Sequence, residues 1–345
     1  MRVWAELSGE NPALAVAEVE AATLARQGTA LGAPERIDPE RFVALDVPGA
    51  PSVPALASVL ALTRRLLRPL GEGSRAEVAA LAATEGRIGD RASFRVLDHG
   101  TEGEPVRWAA ELGAAYVAGG GSIDLDRPTR RYGIVRSGKD SAYLLRELAE
   151  VDRAPFARRA MPRLPFRRPV SLAPRLARAA TNLAGVRPKS VVADPFAGTG
   201  ALLMEAGLMG GEIHGADIDP TMVRGALANL ASVGVVPASL TVGDSGAISE
   251  EVPEVLDAVV TDPPYGRAST SRGEPPADLV ARVLPPWAQR LAPGGRLVVI
   301  LPGGPDPVPE PFHRVLSVRE RVHRSLTREF RVYARHGEER RVSRP

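Results

Sequence analysis

The chain contains no cysteine, which excludes disulfides and thiolate metal sites. Lysine is almost absent, since only Lys139 and Lys189 stand among 44 basic residues, and positive charge is carried by arginine. No uncharged apolar run approaches the roughly 18 residues needed to span a bilayer. The N-terminal stretch MRVWAELSGENPA has no basic segment followed by a long apolar one, so neither a signal peptide nor a membrane span is expected. A cytoplasmic location is the default. His99, His214, His313, His323 and His336 are scattered with no pair at metal-ligand spacing, and no metal is expected.

What is present is a globular composition, 44% apolar and 25% charged over 345 residues, which is too long for one ordinary core and predicts two or three domains. The pI near 9.6 suggests a polyanionic partner, but a net charge of only +3 shifts the question to clustering, because a field that attracts phosphates needs its charge on one face. Between Arg153 and Arg178 the chain reads RAPFARRAMPRLPFRRPVSLAPRLAR, with Arg153, Arg158, Arg159, Arg163, Arg167, Arg168, Arg175 and Arg178, no acid, and Phe156 and Phe166 between them. Two readings stand side by side: a proline-stiffened, solvated linker, or a linker that also grips a nucleic-acid backbone.

That stretch divides the chain into four segments: an α+β subdomain over 1–50, a second α+β module over 51–152, the Arg/Pro-rich linker and helix over 153–185, and a βα-alternating domain over 186–345. In the first two, strand-like RVWAEL, RFVALDV, SFRVLD, RRYGIV and SAYLLREL alternate with helix-periodic NPALAVAEVEAATLARQG and VPALASVLALTRRLL. Beyond the linker, SVVADPF, EIHGADI, SLTVGD, LDAVVTD and RLVVIL read as strands separated by helices. Such alternation requires crossover connections and a mostly parallel, doubly wound α/β sheet. The tail RVLSVRERVHRSLTREFRVYAR reads as a hairpin that closes the sheet.

Ligands of such sheets gather at the carboxyl ends of the strands near the order reversal. Asp194 leaves the first of these strands, and Phe196, Gly198 and Gly200 follow in a turn whose glycines let the backbone pass close to a ligand. Asp217, followed by Ile218, stands 23 residues on, near the offset at which an acid meets a ribose diol. Asp219 before Pro220 reads as a helix N-cap. Asp244 and Ser245 close the third strand, where an acid suits an adenine amino group. The glycine turn and Asp217 fit a dinucleotide enzyme equally well, and Asp244 taken alone reads as readily as an ordinary turn aspartate.

The fourth strand end decides between the two chemistries. In LDAVVTDPPYGR, Asp262, Pro263 and Tyr265 follow an apolar run. The amino nitrogen of a nucleobase is a poor nucleophile because its lone pair is delocalised into the ring. If the Asp262 carboxylate and the Pro263 carbonyl each accept one N–H, the lone pair is freed and aimed at an electrophilic carbon. Prolines fix φ and donate no competing N–H, and Tyr265 offers a flat face on which a base stacks.

These residues resemble the amino-group class of S-adenosylmethionine-dependent methyltransferases, whose fourth-strand signature is Asp/Asn-Pro-Pro-Tyr/Phe. More narrowly the chain is similar to the archaeal tRNA guanine-10 N2-methyltransferase family, over DRAPFARR, RPVSLAPRLARAATNLAGV, DPFAGTGALLMEAGLMG, GADIDPTMVRGALANL, TDPPYGRAS and VHRSLTREFRVY. SIDLDRPTRRYGIV is similar to the strand pattern of a THUMP region. The resemblance implies a Rossmann-like class I fold with an N-terminal THUMP-containing region, S-adenosyl-L-methionine as cofactor, and a tRNA guanosine as substrate, mono- or dimethylated. Asp194, Gly198 and Gly200 would line the methionine part of the cofactor, Asp217 its ribose and Asp244 its adenine, with Phe196, Ile218 and Ser245 as further cofactor-binding residues. Asp262, Pro263 and Tyr265 would hold the guanine, and Arg158, Arg159, Arg167 and Arg168 would contact RNA. Family members often carry Cys and Gly where this chain has Ala197 and Ala201. The partner implied is tRNA, with a monomer as the simplest state. Amino-methylation of rRNA guanine, DNA adenine or cytosine or protein glutamine, and a noncatalytic RNA-binding role, stand as alternatives.

Overall fold

The computed structural model describes residues 1–32, 37–38, 40–97, 104–169, 171–264, 274–323 and 326–335. The chain folds as two compact units, one of Met1–Ser8, Gly28–Ala57 and Thr63–Val151, the other of Gly9–Gln27, Ser58–Leu62 and Asp152–Pro345. In chain order the first elements are β1 (Arg2–Leu7), α1 (Pro12–Leu24), β2 (Thr29–Gly32), β3 (Phe42–Asp46), α2 (Ser52–Ala57), β4 (Thr63–Ser74), α3 (Arg75–Gly86) and β5 (Arg91–Val96). Then follow α4 (Glu104–Ala118), β6 (Ser122–Ile123), β7 (Arg130–Arg136) and β8 (Ser141–Glu150). All of these except α1 belong to the first unit, whose eight strands run in the order β2-β3-β1-β4-β8-β7-β5-β6. Its core stacks Phe94 on Tyr132 at 4.9 Å between centroids and buries Trp108 and Tyr116 of α4 in one cluster with Val78 and Ala82 of α3.

The helix expected over residues 53–67 is shorter than its periodicity predicts. Helix α2 ends at Ala57, and Thr63 already opens β4. Leu66 and Leu67 are buried in the sheet, between β1 and β8, so tertiary pairing overrides an apolar spacing that fits either element. Trp4, Trp108 and Trp287 are all core residues.

The second unit continues with α5 (Ala154–Arg158), α6 (Pro174–Leu183), β9 (Val191–Asp194), α7 (Ala201–Leu208), β10 (Glu212–Asp217), α8 (Pro220–Ser232) and β11 (Ser239–Val242). It ends with β12 (Leu256–Thr261), α9 (Pro276–Gln289), β13 (Leu291–Leu301), β14 (Phe312–His323) and β15 (Leu326–Arg335). The strand order is β11-β10-β9-β12-β13-β15-β14. Strands β9 to β13 are parallel, while β15 is antiparallel to both β13 and β14. The predicted doubly wound sheet and its closing hairpin are therefore both present. The order reverses between β9 and β12, and that gap is the switch point where an α/β sheet opens a crevice.

Helix α1, grouped by sequence with residues 1–50, packs in this second unit beside α6. Asn11 caps it by accepting from Leu14 N–H at 3.1 Å. Its fully buried Glu18 accepts from Ala61 N–H (2.9 Å), Leu62 N–H (2.8 Å) and Asn182 Nδ2 (2.9 Å). One carboxylate thereby fastens three separate stretches of chain, which no local sequence signal could announce. Burial pushes the Glu18 carboxyl up to about 7 despite these donors.

Candidate active site

Because β9, β10, β11 and β12 run in parallel, their carboxyl ends share one edge of the sheet. Asp194 ends β9, Asp217 ends β10, Gly243 to Ser245 follow β11, and Asp262 follows Thr261 at the end of β12. The sequence-predicted residues of four separate segments thus converge on one edge, and β9 and β12 flank the switch point.

Asp194 is 1% exposed. Its Oδ1 accepts from Thr261 Oγ1 at 2.6 Å and from Phe196 N–H at 3.0 Å. Burial, opposed by those two bonds, pushes its carboxyl up to about 7, and the charges of Asp262 and Asp217 add to the rise. The turn that follows needs glycine for two different reasons. Gly198 adopts φ +52°, and a Cβ built there would meet nothing nearer than the Phe196 carbonyl at 3.8 Å, so open space lies beside this backbone and a ligand can approach it. Gly200, at φ +80°, faces helix α8, where a Cβ would come within 3.1 Å of Ala226. The first glycine serves approach and the second serves packing.

Asp217 does more than its spacing predicts. Its Oδ2 accepts from Gly198 N–H at 2.8 Å and its Oδ1 from Asp219 N–H at 2.9 Å, so it shapes the glycine turn. A carboxylate has about four lone-pair sites, which leaves acceptor capacity for a diol. Partial burial raises its pKa. Asp219 caps α8 as predicted, accepting from Thr221 N–H at 2.7 Å, a bond that lowers its pKa. Ile218 and Phe196 are half-buried beside these acids.

Asp244 is exposed, and its Oδ1 accepts from Gly246 N–H at 2.8 Å and from Arg282 of α9 at 3.0 Å. Ser245 is buried, and its hydroxyl donates to the Pro195 carbonyl while its own carbonyl accepts from Trp287 Nε1 at 2.8 Å. Its side chain is thus a brace between the turns after β9 and β11. Asp262 is half-buried and Pro263 buried. Tyr265 lies outside the described residues.

The arginines separate into two groups. Arg158 and Arg167 are exposed, and Arg168 is half-buried with its guanidinium 4.7 Å from the Phe166 ring. Arg159 is a correction to the expectation of RNA contact: only 7% exposed, it is clamped to Glu205 of α7 through Nε at 2.5 Å and Nη2 at 2.9 Å. Arg178 donates to the same carboxylate at 2.9 Å. A guanidinium committed to a buried acid is not available to a phosphate.

Sequence reasoning passed over Thr261, Glu205, Asn229 and Arg282. Asn229 of α8 accepts from Phe166 N–H (2.9 Å) and donates to the carbonyls of Phe166 and Thr199 (3.0 Å each), tying the arginine segment to the glycine turn. Glu205 and Asn229 each interrupt an otherwise apolar helical face, a readable signal. Arg282 had none, because its partner Asp244 lies 38 residues away. Among the described residues no group of three His, Asp or Glu side chains is arranged to hold a metal ion, and no helix is long and apolar enough to cross a membrane.

Residues 163–321 match a family model described as the RMKL-like methyltransferase domain. A tRNA (guanine(10)-N2)-dimethyltransferase of Methanothermobacter thermautotrophicus is 36% identical over 219 residues, 62% of this chain and 63% of that protein. The tRNA (guanine(10)-N(2))-methyltransferase of Saccharomyces cerevisiae is 27% identical over 172 residues, 44% of this chain and 39% of its own. The chain thus spans less than two thirds of the length of these relatives. Among solved structures, TrmN from Thermus thermophilus aligns over 97% of this chain and 99% of its own with a TM-score of 0.52 at 20% identity, a likeness of fold.

Proposed function

From the match of residues 163–321 to the RMKL-like methyltransferase domain, we propose that this protein transfers methyl groups from S-adenosyl-L-methionine to the exocyclic N2 of a guanosine in tRNA, at position 10. The observation that carries the reading is the meeting of Asp194, the Gly198 turn, Asp217 and Asp262 on one sheet edge at the β9/β12 switch point. The open space beside Gly198 and the remaining acceptor capacity of Asp217 fit the cofactor. Asp194 and the Gly198 turn hold its methionine part, Asp217 its ribose, and the Asp244 region its adenine. When bound, the cofactor supplies a methyl group on a positively charged sulfur. The protein's own work is positional, since in-line transfer needs chiefly alignment and exclusion of water. Asp262 and the Pro263 carbonyl each accept a hydrogen bond from one N–H of the amino group of the base, so the nitrogen presents its lone pair.

A guanosine inside a stem must leave its stack before it reaches this corner, at about a few kcal/mol. In this reading residues 51–152 form a THUMP-like module that binds the tRNA, the enzyme works as a monomer in the cytoplasm, and no metal takes part. Exposed Arg158 and Arg167 pair with phosphates of the RNA backbone. Replacing both with alanine is expected to weaken tRNA binding and to flatten the slope of log affinity against log salt by roughly 0.7–0.9 for each phosphate that is no longer neutralised, measured by filter binding across a salt series. An unchanged slope leaves the segment as a solvated linker.

The reading is tested by incubating unmodified tRNA with the protein and methyl-labelled cofactor, followed by nucleoside mass spectrometry. Label on N2-methyl- or N2,N2-dimethylguanosine that maps to one position is the expected result. Label on another base or on rRNA, DNA or protein, or none on any of them, overturns it.

A further inference from the structure

The pairing of β9 with β12 is short. Only Ala258 with Val192 and Val259 with Ala193 are in register. The ladder stops before Asp194 and Thr261, at the switch point where such sheets bind their ligands. Beyond Thr261 the chain enters Asp262, Pro263 and Pro264, and the two prolines bring no N–H with which to tie that segment down. Each strand end is laddered to its outer neighbour, Asp194 to Gly215 of β10 and Thr261 to Val299 of β13, but past Val259 and Ala193 no ladder pairing holds the two strand ends to each other. A side-chain bond does: Thr261 Oγ1 donates to Asp194 Oδ1 at 2.6 Å, with Thr261 0% and Asp194 1% exposed.

We propose that Thr261 is a positioning residue, whose hydroxyl forms the last rung between the cofactor strand and the target strand and so sets the place of Asp262 relative to Asp194. This role rests on the methyl-transfer reading of the same site. A β-branched side chain suits the task, since threonine is restricted about χ1 and its hydroxyl is held in one direction. The tie also bears on charge. Burial pushes the Asp194 carboxyl up to about 7. The groups that face it are the Thr261 hydroxyl and Asp262 from β12, Asp217 from β10, and the Phe196 N–H of its own turn. Two of these are acids that raise it further, so the threonine and the one peptide N–H are what favour the ionised form. Loss of the hydroxyl keeps Asp194 protonated to higher pH, and any binding step that needs its charge appears later as pH rises.

The test compares Thr261→Val, which keeps the shape and removes the donor, with Thr261→Ser, which keeps the donor. S-adenosylhomocysteine affinity is measured by calorimetry from pH 5.5 to 9. Wild type is expected to bind more tightly as pH rises through the Asp194 titration. In Thr261→Val that midpoint moves up by about one unit, a roughly fivefold weaker affinity near pH 7 that approaches tenfold toward pH 5.5 and is recovered toward pH 9. Thr261→Ser stays within about twofold of wild type, and kcat at saturating cofactor falls in the valine variant alone. An unshifted midpoint in Thr261→Val, or a serine variant that behaves like it, overturns the role. Absence of S-adenosylhomocysteine binding by wild type sinks the methyl-transfer reading instead. The tie is then read directly from the carboxyl carbon-13 NMR titration of Asp194 in the two variants, where coincident midpoints reject it.

Discussion

Asp262→Ala is expected to lower the rate of methyl transfer by about 10²–10³-fold, the loss seen when one preorganised polar partner is removed from a reacting group. The amino nitrogen would then have only the Pro263 carbonyl to hold it, so its lone pair stays conjugated with the ring. Cofactor affinity and tRNA affinity should hold when measured well above the Asp194 pKa of about 7, where Asp194 is ionised with or without the Asp262 charge beside it. The effect therefore falls on kcat and leaves KM for S-adenosylmethionine nearly unchanged. Asp262→Asn keeps one acceptor oxygen and should lose less. Single-turnover kinetics with preformed enzyme–tRNA complex measures the chemical step, and undiminished turnover in the alanine variant rejects the assigned role. Equal rates in the alanine and asparagine variants would reject hydrogen-bond acceptance as its basis.

The second large effect is on stability. Glu205→Ala is expected to destabilise the second unit by about 3–5 kcal/mol, because it removes the hydrogen-bonded counter-ion of two buried guanidinium groups, of which Arg178 keeps the more distant attraction of Glu18. Arg159 and Arg178, 7% and 5% exposed, both end on that carboxylate, and the Phe156 ring lies 4.3 Å and 5.8 Å from their respective guanidinium carbons. Helix α7, which carries Glu205, starts at the glycine turn, so the loss loosens the cofactor side as well. Thermal melting should show a fall of roughly 6–20 °C. Replacing all three residues with apolar ones of similar size, Arg159→Met, Arg178→Met and Glu205→Leu, should recover most of that, since a buried ion cluster is often exchangeable for packing. A melting temperature that moves by no more than about 2 °C in Glu205→Ala, the shift of about 0.5–1 kcal/mol, would show that the arginines find water or another acid.

Much of the second unit was legible in the order of its residues. Its strands and helices follow from apolar runs broken by glycine and proline, and the parallel sheet follows from their alternation, since parallel neighbours require crossovers. Asp219 was readable as a cap because its cue is local, an acid directly before a proline. The first unit was less legible. Over residues 53–67 the apolar spacing fits a helix, yet β1 and β8 offer backbone partners on both sides of β4, and the strand prevails. Arg159 misled for a related reason. Eight arginines without an acid read as one basic surface, while the acid that claims Arg159 lies 46 residues further on.

The sequence by itself determined the chemistry on offer: which acids end which strands, where glycine lets the backbone approach a ligand, and where prolines deny the chain its donors. These are properties of residue type and near spacing, and they persist in any fold that keeps the strands. Only the tertiary structure decided which of those groups face one another. The Thr261–Asp194 bond, the Glu205 clamp on Arg159 and Arg178, and the bonds of Glu18 to two distant segments join residues 27 to 164 positions apart. Such pairings depend on how strands order themselves and where their ladders stop, and a one-dimensional pattern carries no record of either.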